Sequence, residues 1–86
     1  MRAWLKRRRW RADVLVLAAL AAGEEHGYEI SRRAGLRAAR LYPALDRLEK
    51  RGVICSGWGE PVSPGGPRRR WYKLTSDVRS STGSRR

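Results

Sequence analysis

The sequence predicts an α+β fold, mainly α, in which three helices are followed by a two-stranded β-hairpin. Three observations predict it. Apolar residues recur at the spacing of a helical face up to Lys50. Gly23, Gly35 and Gly52 stand where those runs stop. From Val53 onward the pattern becomes two extended runs separated by the Pro- and Gly-rich PVSPGG. A chain of 86 residues has room for one such domain with a modest core, and a domain of this size buries only about 60% of its unfolded surface.

Residues 1–11, MRAWLKRRRWR, form a basic N-terminal arm or a helix extension, a choice the sequence leaves open. In DVLVLAALAA the Val-Leu alternation suits a strand, but the alanines and the length favour a buried helix over about residues 12–22, closed by Gly23. The second helix is expected over 26–34, with Tyr28, Ile30 and Ala34 as apolar contacts and Gly35 as its left-handed exit. The third runs over 38–51, where Leu41, Ala44, Leu45 and Leu48 share one face. Residues 53–60 and 67–75 follow as strands, with Tyr72 and Leu74 turned to the core, Arg70 on their side, and Trp71 and Lys73 on the other. The polar stretch 77–86 lacks apolar periodicity and is expected to be disordered. The folded domain is therefore placed at 12–76.

Charge narrows the function. Twenty Lys and Arg against eight Asp and Glu give a net charge of +12 and a pI near 11.5, which calls for an acidic partner. Nearly all these cations are Arg, whose planar fork suits phosphate and guanine edges. Cys55 and His26 are each the only residue of their type. An internal disulfide, a Cys- or His-based metal site and a Ser-His or Cys-His pair are thus not expected, and no cofactor or enzyme activity is implied. The longest apolar run, Val14 to Ala22, is too short to span a bilayer, so a cytoplasmic, nucleoid-associated protein of bacterial or phage type is expected.

Three helices followed by a hairpin is the winged-helix arrangement, with helices two and three as a helix-turn-helix and the hairpin as the wing. Helix three buries one face and leaves the other for a major groove. At 100° per residue Pro43, Asp46 and Lys50 point away from the core, and Arg40 and Arg47 flank that free face. Pro43 marks either a helix that effectively begins just before it or a bend. Candidate DNA contacts are Arg37, Arg40, Tyr42, Pro43 and Arg47 on this helix, Arg68, Arg69 and Arg70 beside the hairpin tip, and Arg7, Arg8 and Arg9 in the arm. Asp46 and Glu49 stand close enough to pair with the helix arginines, so a solvated ion-paired face is the alternative for them.

Three blocks in order, His26-Gly27-Tyr28-Glu29-Ile30, LYPALDRLEKRGVI from Leu41 to Ile54, and GPRRRWYKLT from Gly66 to Thr75, resemble the PadR family of bacterial winged-helix repressors. The resemblance covers about residues 12–76. It implies a recognition helix in the major groove, a wing at the flanking minor groove, and repression by a dimer on a palindromic operator. The segment from Ser31 to Arg40 is shorter than the family's usual connection, and the helices that follow the wing in family dimers are missing from this sequence. A small-molecule effector is therefore not expected. Any homodimer should be weak and form through the N-terminal segment or on DNA. The sequence thus predicts a double-stranded DNA-binding transcriptional regulator, a repressor first, with an architectural protein of excisionase type as the alternative.

Overall fold

The computed structural model describes residues 2–61 and 63–77; the expected disordered tail falls outside them from residue 78 onward. Three helices, α1 (Arg2–Ala21), α2 (Gly27–Ala34) and α3 (Ala38–Lys50), precede the strands β1 (Ile54–Pro61) and β2 (Arg68–Leu74). α1 is longer than the expected first helix, because the basic segment joins it without a break. Its residues are mostly Arg, Ala, Leu and Lys with no Gly or Pro before Gly23, a composition with strong helix propensity.

The two later junctions follow from single glycines. Gly35 takes φ 68°, and its amide and that of Leu36 both return to the Ser31 carbonyl, at 2.9 and 3.1 Å. Gly52 takes φ 77°, and the amide of Val53 reaches back to Leu48. These left-handed exits turn the chain from α2 into α3 and from α3 into β1 at little steric cost.

β1 and β2 pair antiparallel from Ile54 opposite Leu74 to Trp58 opposite Arg70, after which the register shifts toward Pro61 and Arg68. Thr75 N–H donates to Val53 across the hairpin base. A bridge between His26 and Trp71, with Tyr72 N–H donating to the Glu25 carbonyl at 2.8 Å, stitches the α1–α2 connection to the outer edge of β2. The indole of Trp71 lies against Gly57, where a Cβ would overlap the ring.

One core joins these elements. Ala12, Val16, Ala19 and Leu20 of α1 meet Ile30 and Ala34 of α2, Leu36, then Leu41, Ala44, Leu45 and Leu48 of α3, and finally Ile54 and Tyr72 of the sheet. The helix-three face read from the sequence is thus the buried one, and Tyr72 and Leu74 turn inward as expected. Truncating Leu45, which is 2% exposed, to Ala should destabilise the fold by about 2–5 kcal/mol. Lys50→Ala on the opposite face should stay within about 0.5 kcal/mol. Urea unfolding of both variants checks the orientation of α3.

Tyr72 is 7% exposed, and burial holds its hydroxyl above the ordinary value of 10.0, with the Arg70 guanidinium pulling the other way. The folded chain therefore keeps this proton to higher pH than the unfolded chain does. The resulting stability is fully present below pH 10 and is lost as pH rises above it. Tyrosinate absorbance should show one late-titrating tyrosine, and Tyr72→Phe should flatten the alkaline loss of stability.

Candidate nucleic-acid interface

Burial of Leu41, Ala44, Leu45 and Leu48 leaves Arg37, Ala38, Ala39, Tyr42, Pro43, Asp46 and Lys50 exposed along the outer side of α3. Arg37 is the extended N-cap residue, so the first-turn amides open beside its side chain. Pro43 lies inside the helix. It has no N–H to offer the Ala39 carbonyl, and its ring crowds that carbonyl in the second turn of the exposed side. Tyr42 is 50% exposed, and its hydroxyl rests against the Cα of Gly27, where any side chain would collide. That close approach brings the start of α2 against α3, and a side chain at residue 27 would displace the Tyr42 hydroxyl.

Arg40 and Arg47 were expected to flank an open face; they lie beside Ala39 and Pro43 of that face, and the basic half of α1 runs along their other side and engages both. Arg40 Nη2 donates to the Arg8 carbonyl at 3.1 Å. Arg47 Nη2 donates to Asp13 Oδ1 at 2.7 Å and to the Arg9 carbonyl at 3.4 Å. Asp13 is 8% exposed and is the one buried charged residue among the described residues. A carboxylate in such a place is tolerable because a guanidinium is directly hydrogen-bonded to it. Asp46 pairs with Lys50 at 3.0 Å, and Glu49 accepts from the Ser56 hydroxyl at 2.6 Å and faces Arg70 at 3.9 Å. Neither carboxylate takes the helix arginines as partners among the described residues.

The three wing arginines differ from one another. Arg68 donates across the hairpin to the carbonyls of Gly59 and Trp58, at 3.0 and 3.2 Å. Arg69 reaches Glu29 of α2 at 3.1 Å. Arg70 is half-buried: its guanidinium lies 5.1 Å from the ring centre of Trp58 and 5.9 Å from that of Tyr72, and it donates to Ser56 Oγ at 2.8 Å. Arg70 therefore braces the wing from within, while Arg68 and Arg69 stay on its exposed side.

In α1, Arg7, Arg8 and Arg9 are all exposed, with Arg8 5.4 Å over the Trp4 ring. Sequence reasoning missed Asp13 as the anchor of Arg47. The available signal was an isolated carboxylate between Ala12 and Val16, which belong to the buried stripe. Asp46, left out of the candidate contacts, also stands exposed on the free face beside Lys50. No helix among the described residues is long and apolar enough to cross a membrane, and no group of three or more His, Cys, Asp or Glu among them could hold a metal ion.

The model of the PadR-like transcriptional regulator family matches residues 16–82. A PadR-like transcription factor from Bacteroides fragilis has a similar structure, with a TM-score of 0.74 and 26% identity over 98% of this chain and 84% of that one. A PadR family transcription regulator from Clostridium difficile gives a TM-score of 0.65 and 29% identity, covering 86% and 81% of the two chains. A transcriptional regulator from Clostridium thermocellum gives 0.63 and 31%, covering 85% and 76%. An uncharacterised protein of Lysinibacillus sphaericus is 35% identical over 72 residues, and the match takes in 74% of this chain but only 64% of that relative's length. With the blocks, the winged-helix architecture and the family match in agreement, this chain belongs to the PadR-like family of transcriptional regulators.

Proposed function

We propose that this chain represses transcription by occupying double-stranded DNA, with the free face of α3 in the major groove and the wing against the flanking minor groove or backbone. The observation that carries the reading is the uncovered side of α3, where Arg37, Tyr42, Pro43 and Asp46 stand exposed beside an arginine-bearing hairpin. Arg37 and Asp46 supply the donor and acceptor that can read base edges. Tyr42 and Pro43 supply apolar contact and fix how closely the helix approaches. Arg40 and Arg47 serve the backbone rather than the bases, since α1 already engages part of each guanidinium. Arg69 exchanges Glu29 for phosphate easily, because an exposed ion pair of this kind is worth only about 0–1 kcal/mol. Arg68 joins it at the wing edge, and Arg70 acts indirectly by holding the hairpin in place.

Two copies on a two-fold operator are the proposed working form. Trp4, Trp10 and Val14 are exposed along α1, so weak self-association should run through this helix. Sedimentation at micromolar concentration without DNA should show mostly monomer. A tight dimer that persists in Trp10→Ser would place the contact elsewhere.

Two DNA measurements test the main reading. If about six phosphates are neutralised, log affinity should fall with log salt at a slope near 5; a slope near zero would remove the electrostatic basis of the proposal. A site selected from a random-sequence pool then allows comparison with a random duplex. Arg37→Ala should lose about 1–3 kcal/mol of discrimination while retaining most random-duplex affinity. Arg68→Ala with Arg69→Ala should weaken both duplexes by similar factors.

A further inference from the structure

The first half of α1 is costly as it stands. Lys6, Arg7, Arg8, Arg9 and Arg11 crowd one short stretch with no acidic residue among them, and like charges four apart oppose the helix. Yet this segment is helical and laid against α3. The contact borders an open cleft of about 150 Å³ lined by Arg8, Arg9, Ala12, Ala39, Arg40, Pro43 and Arg47. Four guanidinium-bearing residues meet there over a floor of small apolar ones, and no carboxylate lines it. Asp13, the nearby acid, is already bonded to Arg47. The space is several times the roughly 30 Å³ of one water, so it admits a compact anion.

The contacts fix the inner guanidinium groups, while the Arg8 and Arg9 side chains stay exposed at the rim. The carbonyls of Arg8 and Arg9 hold the guanidinium groups of Arg40 and Arg47 on the α3 side. Arg8 lies over the Trp4 ring, and a stacked guanidinium keeps its edge N–H groups available. Arg47 also has a buried Nε–H with no acceptor, a donor left short by the protein itself.

We infer, building on the DNA-binding reading above, that α1 and α3 together clamp one backbone phosphate of DNA in this cleft, with Arg8 and Arg9 closing over it and Arg40 and Arg47 forming its inner wall. The position favours DNA over a free anion as the source of that phosphate. Ala39 and Pro43 belong both to the cleft and to the free face of α3, so the strand bordering the groove that α3 enters runs past its mouth. The clamp makes the helical extension a second contact that fixes how deeply α3 sits.

The test is the salt dependence of binding to a random-sequence duplex by the full chain. Arg8→Gln with Arg9→Gln should lower the slope of log affinity against log salt by about 0.9, the share of one phosphate. Arg32→Gln with Arg33→Gln removes the same charge from α2, away from the cleft, and should leave the slope unchanged. Arg8→Lys with Arg9→Lys keeps the charge and should restore it. Equal reductions from both Gln pairs, or none from the first, would overturn the clamp while leaving DNA binding standing. Failure of the unmodified chain to bind any duplex would overturn the DNA-binding reading beneath it. A separate titration with inorganic pyrophosphate, followed by tryptophan emission, distinguishes the source. Saturable binding below millimolar concentration, with no slope change from Arg8→Gln and Arg9→Gln, would assign the cleft to a free anion and overturn its assignment to DNA.

Discussion

Burial of one face of α3 governs the rest of the molecule. Leu41, Ala44, Leu45 and Leu48 can leave water only by packing on Val16, Ile30 and Ile54, and this fixes the rotation of the helix about its axis. Once that rotation is set, Arg37, Tyr42, Pro43 and Asp46 have nowhere to go but outward. The exposed chemistry of α3 is thus a consequence of its hydrophobic pattern, and a change of pattern by one residue would present a different set of groups.

The arginine excess is less uniform than the net charge of +12 suggests. Some of it is structural: Arg47 neutralises a buried carboxylate, and Arg70 fills the space between two aromatic rings beside Glu49. Some is loosely held by exposed acids, as Arg33 is by Glu24 and Arg69 by Glu29. The remainder, concentrated in α1 and at Arg37, forms no ion pair among the described residues and dominates the long-range field. A count of charges recognises an acidic partner, but only the contacts separate the arginines that hold the fold from those available to that partner.

What was legible in the sequence was whatever repeats locally. The stripe of α3, the glycine exits and the alternation of β2 each lie within a few residues, and the structure follows them. The reach of α1 back to Arg2 stayed an open choice in the sequence, because Trp4, Lys6, Arg7, Arg8, Arg9 and Trp10 are all exposed and leave no buried stripe to read. The turning of Arg40 and Arg47 toward α1 was not legible. Their partners lie more than thirty positions away, at Arg8, Arg9 and Asp13, and such pairings follow from how the helices cross. The bridge from His26 to Trp71 escaped for a related reason: one residue pair has no alternation.

The brace around Arg70 has a mechanical meaning. Its guanidinium lies between Trp58 and Tyr72, bonds Ser56 and faces Glu49, so hairpin and α3 share a common strut. Hairpins without such ties swing independently of the helix before them. Here Glu49 of α3 accepts from Ser56 and faces Arg70, so the middle of the hairpin is tied to that helix as one piece rather than as a pair of jointed fingers. On the proposed binding mode, a duplex held at both hairpin and helix would have to conform to their spacing, which favours sequences that twist or bend to it at low elastic cost.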